Sequence, residues 1–252
     1  MQTLILSSYF SLKPHPTHPG DEAVRGRAAD GRVWQSDFNY IKEWYESVVR
    51  NKLKAVLFYD NLDKDFVLKY ENEFVKFEKV EASDYSNNDW RFFCFHDYLT
   101  DMLEADRPDA VFHTDASDVK IVKDPSSLIT DFPDFDYFAC RDSIPLNQFG
   151  YMKAHDHFDW EDRFSFMLNL NEWWLINMGV VGGSYLNMRR FYGKFKEIRI
   201  GMEEPHFNSD MWLCQYLLRS QLQPCELLMG EPVCSEFKKY ENNREDVFFI
   251  HK

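Results

Sequence analysis

Short apolar runs alternate with amphipathic segments along most of this 252-residue chain. Each apolar run has the length of one buried strand, and the segments between them repeat their apolar residues at helical spacing. This alternation is typical of a mostly parallel sheet whose helices cover both faces. We therefore predict an α/β fold with a central, mostly parallel mixed sheet flanked by helices.

The same pattern predicts where the elements lie. The predicted strands are TLILSSYF (3–10), KAVLFYDN (54–61), FVKFEKVE (74–81), DAVFHTD (109–115), WWLINMGVVGG (173–183) and DVFFIHK (246–252). The predicted helices are SDFNYIKEWYESVVRN (36–51), NNDWRFFCFHDYLTDML (87–103), SYLNMRRFYGKFKEI (184–198) and NSDMWLCQYLLRSQ (208–221), the first capped by Ser36 or Asp37. No repeat, low-complexity tract or linker interrupts the pattern, which predicts one domain over 1–252, with halves near 1–125 and 126–252.

Charge excludes one class of partner. The formal net charge is −13, and the basic residues form no cluster that could replace counterions along a nucleic-acid backbone. We therefore expect no nucleic-acid partner. An acidic protein can still bind a phosphorylated small molecule when a divalent metal mediates the contact.

The cysteines and the ends of the chain bear on location. The five cysteines are odd in number and lack C-x-x-C spacing, which disfavours a disulfide framework and a zinc ribbon. The start has no signal-peptide pattern, and no run reaches the length of a membrane span. A soluble, cytoplasmic protein of a reducing compartment is predicted, with the possibility of further domains beyond the C-terminus.

One acidic stretch follows a predicted strand. HTDASD places Asp115 and Asp118 where DAVFHTD should leave the sheet, and ligands of open α/β sheets collect at the carboxyl ends of strands. Carboxylates in a short turn suit Mg²⁺ or Mn²⁺. Alone, the stretch fits an Asx-turn that merely ends a strand better than it fits a metal site. Walker A, G-x-G-x-x-G, G-x-S-x-G and H-E-x-x-H patterns are all absent.

Three later features extend this pattern. NMGVVGG ends in Gly182 and Gly183, which would permit close approach of a ligand or simply turn the chain. Asp210 falls in the first turn of a predicted helix, where the helix dipole alone favours a carboxylate. His251 follows the last apolar run, as a metal ligand or a packed histidine.

The order of these four features is similar to that of the GT-A glycosyltransferases over most of the chain. The resemblance implies a GT-A-like (Rossmann-like) catalytic domain with a UDP- or GDP-sugar donor and a glycan hydroxyl as acceptor. It implies that Asp115, Asp118 and His251 hold Mn²⁺ or Mg²⁺, that Asp115 also contacts the nucleotide, and that Asp210 is the base of an inverting transfer. It also implies that Gly182 and Gly183 face the donor. The D-x-x-D spacing departs from the family's D-x-D, and the likeness to small viral capsid-glycan transferases is looser.

The resemblance implies a wider donor site as well. Ser7, Ser8 and Tyr9 would seat the nucleotide base, and Arg91 would face the pyrophosphate or form a surface ion pair. The HDH trio, His155–His157, would face the acceptor or solvent. Two other functions compete with this one. A sugar nucleotidyltransferase would use a similar sheet and metal, and a non-catalytic glycan-binding module would use the many aromatic residues.

Overall fold

A computed structural model describes residues 1–13, 36–148, 173–202, 208–222, 224–239 and 241–252. Its strands are β1 (Thr3–Tyr9), β2 (Lys54–Tyr59), β3 (Val75–Lys79), β4 (Ala110–Thr114), β5 (Val119–Ile121), β6 (Tyr137–Pro145), β7 (Trp174–Ser184), β8 (Leu227–Met229) and β9 (Phe249–His251). Its helices are α1 (Lys42–Arg50), α2 (Lys64–Tyr70), α3 (Asn87–Asp101), α4 (Ser126–Asp131), α5 (Tyr185–Ile200) and α6 (Asp210–Tyr216).

Seven strands form one mixed sheet in the order β3-β2-β1-β4-β7-β6-β8. Pairing is parallel except on the two sides of β7, which runs antiparallel to β4 and to β6. The prediction of an α/β fold with a mostly parallel mixed sheet is confirmed. Because β4 pairs with β7, which comes from the second half of the chain, the sheet continues across residue 125.

Side chains alternate between two cores, one on each face of the sheet. On β1, Leu4 and Leu6 pack with the helices α3, α5 and α6, whereas Ile5 packs against α1 and α2 on the other face. Every residue of β4 is buried, as expected for a central strand covered on both faces. Full burial of one Leu or Phe side chain stabilises the fold by about 1.5–3 kcal/mol. The predicted apolar runs therefore supply the interior of the protein.

A separate two-stranded sheet pairs β5 with β9 in antiparallel register, so that Val119 lies opposite His251. This short ladder brings the last strand of the chain next to the turn that follows β4. Its register fixes which face of β9 points to that turn, because a shift of one residue would turn every side chain to the other face.

Cys140 and Cys234 form a disulfide, with their Cα atoms 5.2 Å apart and 94 residues of sequence separation. The cysteine pattern disfavoured a disulfide framework, yet this one disulfide forms. The count and spacing of cysteines were poor guides, because the fold brings β6 against the segment that precedes β9. The other three cysteines are not disulfide-bonded.

Among the described helices, none is both long and apolar enough to cross a bilayer.

Candidate metal and donor site

The site lies at the edge of the sheet where β1, β2 and β4 end. Asp115 follows the last residue of β4, and its backbone N–H donates to the carbonyl oxygen of Gly179 on β7 at 2.8 Å. The chain then turns and presents Asp118 immediately before β5. Both carboxylates of the D-x-x-D stretch therefore lie at the carboxyl ends of parallel strands, where open α/β sheets bind ligands.

His251 completes a three-residue cluster with these carboxylates. One ligand atom each of Asp115, Asp118 and His251 lies within 4.8 Å of the others, and His251 Nε2 is 3.6 Å from Asp118 Oδ2. The carboxylates are partly exposed, whereas His251 is only 2% exposed. Within the described part of the chain, the buried Nδ1 of His251 has no hydrogen-bond partner. Two carboxylates and an imidazole suit a Mn²⁺ or Mg²⁺ ion, and the buried imidazole distinguishes this cluster from an exposed acidic patch.

Three contacts place the His251 ring. Its backbone N–H donates to Ser235 Oγ at 3.1 Å, and its ring packs 4.3 Å from that of Phe237. On the opposite side is Gly179, where an added Cβ would lie 2.1 Å from His251 Cε1. Only glycine at position 179 leaves room for this ring, because real Cβ atoms do not approach other atoms so closely. Sequence reasoning noted the glycine-containing stretch but not this glycine.

Gly182 and Gly183, predicted to face the donor, lie inside β7. A Cβ at Gly182 would meet the ring of Phe112 at 1.9 Å, and one at Gly183 would meet the carbonyl oxygen of Asp136 at 2.6 Å. Protein atoms thus fill the space that these glycines leave. Their small size is explained by close packing of β7 on its neighbours rather than by an open approach to a ligand.

Arg91 links Asp115 to Asp210. It projects from the second turn of α3, is 5% exposed, and forms ion pairs with both carboxylates, 3.3 Å from Asp210 Oδ2. Burial alone would lower the pKa of Arg91, but the charges of Asp115 and Asp210 raise it. Asp210 is itself buried, 3% exposed, in the first turn of α6. The four residues predicted for metal and base, together with Arg91, therefore form one connected charged site.

A second buried pair holds the beginning of α6. Asp89 accepts hydrogen bonds from Arg199 Nε at 2.7 Å, from the backbone N–H of Ser209 at 3.1 Å and from Ser209 Oγ at 3.0 Å. Asp89 and Arg199 are both completely buried. Burial raises the pKa of Asp89 to about 6, although the charge of Arg199 opposes the shift. Sequence reasoning missed this pair, since both residues stand among ordinary helical charges.

The residues predicted to seat a nucleotide base are mostly occupied by internal contacts. Ser7 is completely buried and its hydroxyl donates to the carbonyl oxygen of Thr114 at 2.6 Å. Tyr9 is buried against Tyr40, with ring centroids 4.5 Å apart, and burial raises its pKa. Ser8 is only partly buried. Of these three residues, Ser8 has the most accessible side chain for a ligand.

No family model matches this chain, and no curated protein matches it. The geometry of the site is therefore the basis for a functional interpretation. His155–His157, predicted to face the acceptor, lie outside the described residues.

A cavity of about 750 Å³ lies away from these carboxylates. It is bounded by the first residues of β1 and β2 and by the C-terminal half of α3, including Leu4, Val56 and Tyr98. These residues lie toward the amino ends of the parallel strands. The volume is that of a small-molecule site, but its lining contains none of the metal cluster, Arg91 or Asp210.

Proposed function

We propose that this chain is a metal-dependent glycosyltransferase with a GT-A-like domain, which transfers a sugar from a UDP- or GDP-sugar to a hydroxyl of a glycan acceptor. The observation that carries the proposal is the meeting of Asp115, Asp118 and His251 with Arg91 and Asp210 at one edge of the sheet. Residues far apart in sequence supply a metal-ligand set, a buried cation and a buried carboxylate in one place. A structural ion-pair network alone needs no buried histidine beside the carboxylates.

In this proposal Asp115, Asp118 and His251 hold Mn²⁺ or Mg²⁺. When bound, such an ion neutralises the negative charge that develops on a departing diphosphate. Without a cation, the carboxylates would repel a diphosphate, and the net charge of −13 adds to that repulsion. Arg91 contributes a second, permanent positive charge on the side of Asp115 that faces α3.

Asp210 is the proposed base. Its ion pair with Arg91 favours the ionised carboxylate, which is the form that accepts a proton. The acceptor hydroxyl must come within hydrogen-bond reach, about 2.6–3.2 Å, of this carboxylate. Asp89, which is itself held by Arg199, keeps the base in place because it accepts a hydrogen bond from the backbone N–H of Ser209 just before it. A base at this position implies inversion at the anomeric carbon.

The test is a transfer assay with a panel of UDP- and GDP-sugars in the presence of Mn²⁺. We expect loss of activity with a chelator and in Asp118→Asn, and a large fall in turnover in Asp210→Asn. The matched control is Asp134→Asn, which changes an exposed aspartate in the turn before β6, at the opposite edge of the sheet. Full activity with chelator or in Asp118→Asn would refute the metal role.

Analysis of products distinguishes the proposal from its competitors. A glycosyltransferase releases a free nucleoside diphosphate, whereas a sugar nucleotidyltransferase releases pyrophosphate. Nuclear magnetic resonance of the product shows the anomeric configuration of the transferred sugar and so distinguishes inversion from retention. A retained configuration would remove Asp210 from the role of base. A glycan-binding module would release neither product and would show no metal-dependent thermal shift with UDP.

A further inference from the structure

His251 belongs to two groups of potential metal ligands. Besides the carboxylates, it lies next to the Cys140–Cys234 disulfide, and a ring nitrogen and the two sulfur atoms are within 4.8 Å of one another. Cys140 follows a register shift between β6 and β7, and Cys234 bridges to Phe249 at the start of β9. All three side chains are buried. The ring thus stands between a set of oxygen ligands and a pair of sulfur atoms.

Oxidation state decides whether the sulfur atoms can act as ligands. In the disulfide each sulfur is bonded to the other, and it is the thiolate that binds metals. Two thiolates and one imidazole form a ligand set that selects a thiophilic divalent cation such as Zn²⁺, with a fourth position for water. The buried Nδ1 of His251 has no hydrogen-bond partner among the described residues, whereas Nε2 lies 3.6 Å from Asp118 Oδ2, so one ring nitrogen is left unsatisfied.

We propose that reduction of the Cys140–Cys234 disulfide creates a Zn²⁺ site formed by Cys140, Cys234 and His251, which competes with the carboxylate site for the same imidazole. A dithiol is the reductant. It gives two electrons and two protons to the disulfide, whose S–S bond breaks, and it becomes a cyclic disulfide itself. Zn²⁺ then displaces a proton from each of the two thiols.

Competition follows from the chemistry of the imidazole. A neutral imidazole has one lone pair for a metal, because its other nitrogen carries the proton. One His251 side chain therefore cannot serve both sites at once. Reduction and Zn²⁺ would remove a ligand from the carboxylate cluster and weaken its hold on Mn²⁺. This competition rests on the proposed carboxylate metal site, whereas the thiolate site stands independently of it.

The test uses the full chain and Co²⁺ as a spectroscopic substitute for Zn²⁺. Dithiothreitol treatment followed by anaerobic removal of the reductant should raise the number of thiols titrated in denaturant from three to five, since Cys94 and Cys214 are buried in the folded protein. Co²⁺ should then give a thiolate-to-metal charge-transfer band in the reduced protein and not in the oxidised protein, and Zn²⁺ should abolish the band. A thiol count that stays at three, or a band of equal strength in both forms, would overturn the proposal.

Variants locate the site. Cys140→Ser should abolish the band, and the matched control Cys225→Ser, which removes a partly exposed thiol outside the disulfide, should retain it. Should Cys140→Ser fail to fold, as judged by circular dichroism, the comparison of reduced with oxidised wild type still decides the question. No sugar donor enters these measurements, so their failure leaves the proposed transferase activity untouched.

Competition is measured in the wild type by the paramagnetic resonance signal of free Mn²⁺. Zn²⁺ should lower the Mn²⁺ affinity of the reduced protein at least about tenfold more than that of the oxidised protein, in which Zn²⁺ can compete only directly at the carboxylate cluster. A charge-transfer band with unchanged Mn²⁺ affinity would refute the sharing of His251 and leave the thiolate site standing.

Discussion

Replacement of Arg91 by methionine tests the charged network most directly. Methionine keeps much of the length of the side chain but removes the cation that pairs with Asp115 and Asp210. The side chain of Asp210 is only 4% exposed, so little water is available to replace that cation, whereas Asp115 is 28% exposed and can be solvated. We therefore expect most of the cost to come from Asp210.

The magnitude can be estimated in two ways. For opposite charges 3.3 Å apart, Coulomb's law with an effective dielectric constant of about 20 gives about 5 kcal/mol. Experiments that remove one partner of a buried ion pair give about 3–5 kcal/mol. Since folded domains are stable by only about 5–15 kcal/mol, Arg91→Met should lose a large part of the free energy of unfolding.

Urea unfolding followed by circular dichroism measures this loss. The matched control is Lys194→Met, which breaks the exposed pair between Lys194 and Glu197 and should cost less than about 1 kcal/mol. In the Asp210→Asn background, Arg91→Met should cost about 2–3 kcal/mol less than in the wild type. This difference is the coupling free energy of the pair. If Arg91→Met costs no more than Lys194→Met, or if the coupling is absent, the buried network does not exist as described.

Three further predictions concern the site. Gly179→Ala should lower Mn²⁺ affinity about tenfold or more in equilibrium dialysis, because the new Cβ displaces the His251 ring, whereas Gly193→Ala, in the interior of α5, should not. Mn²⁺ at about 100 times its Kd should stabilise the protein by about 2.7 kcal/mol, a rise in Tm that chelator reverses and that Asp118→Asn lacks. The raised pKa of Asp89, about 6 against an ordinary 3.8, means that the folded state binds this proton more tightly than the unfolded state. The stabilisation from this proton is present below about pH 4 and is lost as pH rises through about 6. Urea titrations should therefore show the free energy of unfolding of the wild type falling by about 3 kcal/mol relative to that of Asp89→Asn over this range. Parallel pH profiles of the two proteins would contradict this.

The larger elements of the fold were predictable because their apolar residues follow one period over many positions. β1, β4, α3 and α5 all lie close to their predicted ranges. The strands β5 and β8 have three residues each, too short for any period to be visible. β6 was missed because its second half, from Arg141, is polar and only partly buried. Length and burial therefore decided what the sequence could reveal.

At the site, residue types were more predictable than their surroundings. Asp115, Asp118 and His251 could be grouped only through their order along the chain, and the structure brings their ligand atoms together. The importance of Gly179 could not be read from the sequence, because it depends on a ring that is 72 residues away along the chain. The disulfide escaped prediction for the same reason.

The ladder between β5 and β9 also has a consequence for fragments of this protein. A split after residue 125 would leave Asp115 and Asp118 on one piece and His251 on the other, with Val119 and His251 as opposite residues across the break. Neither piece would carry the full ligand set. Metal binding would then report reassembly of the two pieces, and the site could serve as a built-in sensor of fragment complementation.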